Sequence, residues 1–133
     1  MDLDWSPQEI AFRDEVRDFI ASEMTEEVHG SIFIDTPPRI EFVSKMARKG
    51  WLGMGFPEEY GGSPNPFPLA QFILNAELDR AGAPIIGKNV GTIASTIFHV
   101  AGEAMKKEFL PMICRNEGQW AITYTEPNAG TDL

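Results

Sequence analysis

Apolar side chains recur at helical spacing along most of the chain and divide it into five segments punctuated by glycine and proline. Ile10, Phe12, Val16, Phe19, Ile20, Met24 and Val28 form one stripe on a helix from Ser6 to Val28. Ser6, Pro7 and Glu9 supply its start. A Ser N-cap followed three residues later by Glu lets two side chains satisfy orphaned backbone N–H groups, and Pro fits the first helical position. His29-Gly30 ends this segment. A second helix runs from Pro38 to Lys49 with Ile40, Val43, Met46 and Ala47 inward, and Gly50 closes it. A third, Leu69 to Arg80, turns Leu69, Phe72, Ile73 and Ala76 inward. A fourth, Gly87 to Ala101, carries no charge past Lys88, so the pattern predicts burial on most sides. Its small polar residues among aliphatics also suit a pocket wall. A fifth, Glu103 to Arg115, sets Met105, Phe109, Met112 and Ile113 on one side, with a kink or short break at Pro111.

The pattern changes at Trp120. Trp120 to Thr125 is β-branched and aromatic, which predicts a strand, and Glu126 to Gly130 is turn chemistry. The division expected is a helical domain over 1–118 and the first strand and turn of a β domain over 119–133. Between the second and third helices, Gly50 to Pro68 is dense in glycine and proline, and a loop of that length is well packed or has a task. Glu58 and Glu59 are adjacent, so they point apart and read as turn polarity rather than an acid/base pair.

Charge narrows the function classes. Twenty acidic against eleven basic residues give a formal net charge of −9 in 133 residues. A nucleic-acid binder needs a basic surface to displace phosphate counterions, so that class is excluded. No run approaches the length of a membrane span, and the acidic N-terminus has neither signal nor transit character, which points to a cytoplasmic protein. The one cysteine, Cys114, lies on the apolar stripe of the fifth helix and reads as buried and inert. His99 has no metal-ligand spacing with His29 or Cys114, so no metal site is expected.

Three pieces in order carry a family resemblance. Gly50-Trp-Leu-Gly-Met-Gly-Phe-Pro-Glu-Glu-Tyr-Gly-Gly62 resembles the loop after the second helix of acyl-CoA dehydrogenases. Lys106-Lys-Glu-Phe-Leu-Pro111, followed by Gly118, resembles the helix before their central β domain. Tyr124-Thr-Glu-Pro-Asn-Ala-Gly-Thr-Asp132 resembles their flavin-site run and is the most specific of the three. The resemblance implies an all-α orthogonal bundle of about five helices, followed in full-length members by a β domain and a C-terminal helical bundle. It implies FAD as cofactor, an acyl-CoA substrate, an acceptor such as an electron-transfer flavoprotein, and a homo- or hetero-oligomer. The reaction implied is α,β-dehydrogenation of the thioester, with a carboxylate base taking the α-proton.

Carried onto this sequence, Tyr124 and Thr125 would offer backbone N–H groups and a hydroxyl to the pyrimidine side of the flavin, where reduction develops negative charge. Ala129, Gly130 and Thr131 would form the turn near the cofactor pyrophosphate and the acyl-CoA, with the Thr131 hydroxyl donating to phosphate or ligand oxygen. Many members have Ser where Thr131 stands. The catalytic base lies in the family's C-terminal part, so no catalytic residue is assigned here, and the chain alone is expected to be inactive. The form of the motif resembles bacterial members, some acting on bulky or steroid-derived acyl chains. Two alternatives stay open: a non-catalytic helical interaction module or a subunit completed by a partner chain, and a related flavin-dependent oxidase.

Overall fold

The structure, a computed structural model, describes residues 4–29, 36–84, 86 and 89–123. Among these are five α-helices: α1 Pro7–Glu23, α2 Pro37–Arg48, α3 Ala70–Arg80, α4 Ser95–Val100 and α5 Glu103–Cys114. A 3₁₀ turn at Glu58–Tyr60 and a π-helical stretch at Asn89–Ala94 complete the helical inventory. The all-α expectation holds. The strand expected from Trp120 does not appear over 120–123, the part of it that is described. A lone strand without a neighbour leaves its ladder groups unpaired, so this stretch runs as irregular chain.

The start of α1 follows the sequence closely. Ser6 Oγ accepts from the Glu9 amide at 3.3 Å, and Glu9 accepts from the Ser6 amide at 2.7 Å, with Pro7 at the first helical position. Its end does not. The helix stops at Glu23 because Met24 turns extended, with φ −82° and ψ 102°. Thr25 then starts a separate turn, its carbonyl accepting from the Val28 and His29 amides and its hydroxyl accepting from Val28. Val28 is buried all the same, and the buried Arg39 of α2 donates to its carbonyl at 2.9 Å.

The core lies where α1, α2, α3 and α5 meet the glycine-rich loop. Val16, Phe42, Met46, Leu74, Leu78 and Leu110 are fully enclosed. Phe19 packs against Phe42 and Trp51, each at 5.1 Å between ring centroids, and Phe12 bridges Trp51 and Phe67. Rings at these separations and tilts add attraction beyond the area they bury. Gly50 ends α2 with a positive φ of 77°, while the Trp51 amide reaches back to Met46. At Gly62 any side chain would collide, because a Cβ there would lie 2.1 Å from the Phe56 carbonyl oxygen. The loop over residues 50–63 is thus folded tightly on itself.

Several inward faces differ from expectation. On α3 the buried residues are Ala70, Ile73, Leu74, Glu77 and Leu78, while Leu69 and Phe72 are exposed at 49% and 64%. Ala76, also expected inside, is exposed. On α2 Phe42 and Met46 are buried and Ile40 is exposed. In both cases a charged residue on the buried face, Arg39 or Glu77, disguised it. The helix α5 runs unbroken through Pro111. The carbonyl that Pro111 leaves unpaired, at Lys107, belongs to an exposed residue, where water can serve it.

Candidate functional site

The stretch from Asn89 to Ala101 contains no Asp, Glu, Lys or Arg. It enters as a π-helix and continues as α4. The wider π turn is rare and recurs at functional positions. Val90 and Ala94 point into the core, and Ile93, Ile97 and Phe98 are half-buried against it. On the other side Gly91, Thr92, Thr96, His99 and Val100 are exposed, Val100 at 77%. Thr96 donates its hydroxyl to the Thr92 carbonyl at 2.8 Å, turning that polar group inward on the helix. No residue of α4 itself is buried. The prediction of burial on most sides is therefore wrong, and the neutral composition belongs to an open face with no charge on it. An uncharged face of small and aliphatic residues suits an apolar ligand chain or a covering domain.

The back of this face is braced. The Phe98 ring meets Phe56 at 5.5 Å, Tyr60 at 6.2 Å and His99 at 5.2 Å, each edge to face. Lys106 Nζ lies over it at 5.7 Å. Tyr60 is buried, and its hydroxyl donates to Glu103 Oε2 at 2.7 Å. That bond, with burial and the charges of Glu103 and Glu59, pushes the phenol up to about 12. Glu103 is held below the usual carboxylate range, first by Tyr60 and then by Lys106 at 3.3 Å. A carboxylate so engaged is a poor proton acceptor. Tyr60 and Phe98 were not singled out by sequence reasoning. The available signal was an aromatic residue between the acidic pair and the glycine pair of the loop.

A second polar cluster joins α1 to α3. Glu77 is buried and takes both arms of Arg17, at 2.9 and 3.1 Å, and also Arg80. Burial opposes its ionisation, but the two guanidinium groups outweigh it and hold it below the usual carboxylate range. These residues, with Ile20, Ala21 and Ala81, line an open cleft of about 180 Å³. Every oxygen of Glu77 is taken, so the cluster acts as a clamp between helices. Cys114 is buried, and burial pushes its thiol up, as expected of an inert cysteine. Among the described residues no group of His, Cys, Asp and Glu could hold a metal. None of the described helices is long and apolar enough to cross a membrane.

The residues assigned to the cofactor, Tyr124, Thr125, Gly130 and Thr131, lie outside the described residues. The chain leading to them is described as far as Thr123. Trp120 is half-buried and stands edge-on to Phe109 of α5 at 5.6 Å, and its indole N–H is buried without a partner among the described residues. The route into the motif therefore starts from a fixed point on α5.

Comparison with known proteins gives this arrangement a family. Residues 6–117 match the family model described as "Acyl-CoA dehydrogenase, N-terminal domain". The acyl-CoA dehydrogenase FadE26 of Mycobacterium tuberculosis is 35% identical over 140 aligned positions, covering 100% of this chain and 34% of that protein. Among solved structures, the ChsE4-ChsE5 complex of M. tuberculosis superposes with a TM-score of 0.80 at 34% identity, over 99% of this chain and 34% of that one. An acyl-CoA dehydrogenase of Bacillus anthracis, complexed with FAD, superposes with a TM-score of 0.74 at 26% identity, over 97% of this chain and 23% of that one. The chain spans about a third of the length of the first two proteins. With its helical bundle, its braced neutral face and this match over most of its length, the chain belongs to the acyl-CoA dehydrogenase family, in the region of that family's N-terminal domain.

Proposed function

We propose that this chain is the N-terminal helical part of an FAD-dependent acyl-CoA dehydrogenase. The match of residues 6–117 to the family's N-terminal domain carries this reading. The helical domain spans 1–118, and 119–133 opens the middle β domain. FAD, when bound, takes up the hydride leaving the β-carbon of the thioester. The residues of this chain that would hold it are Tyr124 and Thr125, which would donate toward the pyrimidine side of the ring, and Gly130 and Thr131, which would serve the pyrophosphate, Thr131 also the acyl-CoA. The neutral outer face of the π-helical stretch and α4, with Gly91, Thr92, Thr96 and Val100 exposed, fits an apolar acyl chain. Its role is to bind and orient that chain and to exclude water. The base that removes the α-proton comes from outside these residues, so the chain alone does not turn over. The form of the Tyr124 to Leu133 motif resembles bacterial members, some of which act on bulky or steroid-derived acyl chains. The similarity to one protein of a two-protein complex supports a hetero-oligomer, and an electron-transfer flavoprotein fits as acceptor.

The test is spectroscopic. The longest natural polypeptide containing this chain, purified with any natural partner, should carry flavin absorbance that bleaches under anaerobic addition of an acyl-CoA. Purification without flavin, together with no reduction of added FAD by butanoyl-, octanoyl- or cyclohexylpropanoyl-CoA, would overturn the reading. It would favour a non-catalytic interaction module, to which the exposed Leu69 and Phe72 on α3 already give some support. Stoichiometric hydrogen peroxide in air would identify an oxidase instead.

A further inference from the structure

We propose that Tyr60 and Phe98 are positioning residues for the acyl wall: the glycine-rich loop, latched to α5, sets the seat of α4 and thereby the acyl-chain selectivity of the site. This rests on the reading of the α4 outer face as that wall.

The helix α4 cannot fix its own position. It is six residues long, buries no side chain of its own, and is preceded by a π-helical stretch rather than a regular turn. A helix this short has little intrinsic stability and takes its position from what it packs against. Its largest inward contact is Phe98, and that ring is boxed by groups from two other elements. Phe56 and Tyr60 come from the loop, and Lys106 comes from α5. The loop cannot drift on its own. Gly62 has no room for a side chain against Phe56, and the Met54 and Ser63 strands of the loop are pinned by the Gly55 amide on the Ser63 carbonyl and the Ser63 amide on the Gly53 carbonyl, each at 2.9 Å. The one side-chain hydrogen bond joining this loop to α5 is the Tyr60 hydroxyl on Glu103, at the first turn of the helix. Phe98 therefore rests on a support that packs on α5, Gly61 against Pro111 and Gly53 against Cys114, and that the Tyr60 hydroxyl ties to the first turn of that helix. Thr96 and Val100, on the opposite face of the same short helix, move with Phe98, as does Thr92, whose carbonyl accepts from the Thr96 hydroxyl.

The Arg17–Glu77–Arg80 clamp has its carboxylate oxygens satisfied internally. The exposed Leu69 and Phe72 face has nothing in the structure to say what covers it.

The experiment uses the flavin-loaded full protein with its natural partners. Tyr60→Phe keeps the ring and removes the latch, and Phe98→Leu keeps an apolar contact and removes the box. The readout is the ratio of kcat/KM for butanoyl-CoA to that for cyclohexylpropanoyl-CoA, with Tm and flavin content measured alongside. Small displacements of a binding wall change discrimination between acyl groups, so each variant should shift this ratio by roughly threefold to tenfold, in the same direction. Glu77→Gln is the control: it should lower Tm without changing the ratio, because its clamp does not touch α4. Unchanged ratios in both Tyr60→Phe and Phe98→Leu overturn the proposal, as does an equal shift in Glu77→Gln. Anaerobic bleaching of the unmodified protein by acyl-CoA, measured in the same series, separates failure of this inference from failure of the enzyme reading.

Discussion

The two sides of this bundle solve different problems. Where α1, α2 and α3 pack with Trp51, the interior is made of rings meeting edge-on or tilted, and the charges at the edges are paired: Arg17 with Glu77, Lys45 with Glu23, Lys49 with Glu15. Along 89–101 there is no Asp, Glu, Lys or Arg to pair, and the outer face is open. A soluble surface normally carries charge, and one without it is commonly a surface that something else covers. The first side reads as a finished scaffold. The second is braced from behind and bare in front, which is the arrangement a binding wall requires.

Substitutions can test that contrast, beginning with the largest effect. Phe42→Ala on the scaffold side removes a ring that is 2% exposed and packed on Phe19. Urea unfolding should show a loss of about 3–5 kcal/mol, since the site cannot collapse fully around the cavity. A loss below about 1 kcal/mol would mean this side is not the rigid one. Glu77→Gln should cost about 1–3 kcal/mol, less than a fully enclosed pair because water can reach both arginines. It carries a pH signature as well. Glu77 is more acidic folded than unfolded, so its contribution is fully present above the ordinary glutamate pKa of about 4.3 and is lost as pH falls through the lowered folded value. Acid titration of stability should therefore be shallower below that point in Glu77→Gln than in the parent chain; identical slopes would remove the clamp from the account. Ser6→Ala, which deletes the capping box, should cost about 1 kcal/mol. Thermal unfolding followed by circular dichroism would detect it. The smallest effect belongs to the other side. Val100→Ser should change the stability of this chain by no more than about 0.5 kcal/mol, because the side chain already faces solvent. In the longer protein the same substitution should cost more, and equal costs in the two settings would show that nothing covers the α4 face.

The helices were legible because their boundaries are written in local chemistry. Ser6-Pro7 with Glu9 fixes the start of α1, and Gly50 fixes the end of α2, in both cases through residues that satisfy backbone groups. Faces were harder. On α3 the residues 69, 72, 73 and 76 make as good a stripe as 70, 73, 74, 77 and 78, and only tertiary pairing of Glu77 with Arg17 decides between them. A charge counts as a surface residue until its partner is known. The end of α1 was overshot for a similar reason, since Met24 and Val28 keep the apolar rhythm although Thr25 starts a new turn. The α4 face was read as buried because composition alone does not separate a core from a surface awaiting a cover. The flavin motif was legible as a string, through a resemblance, and its residues 124–132 lie outside the described structure. The brace of Tyr60, Phe98 and Glu103 was invisible in sequence because its members are far apart in the chain and meet only through the fold.

Cys114 supplies a clock for this molecule. It is the one cysteine in the chain, and it sits on α5 with its sulfur 3.2 Å from where a side chain on Gly53 would begin. Cys114 is buried, so a thiol reagent reaches it when the structure around it opens, and the rate of its modification under native conditions measures how often that happens. Labelling kinetics would therefore report that opening in time, independently of any cofactor, substrate or partner.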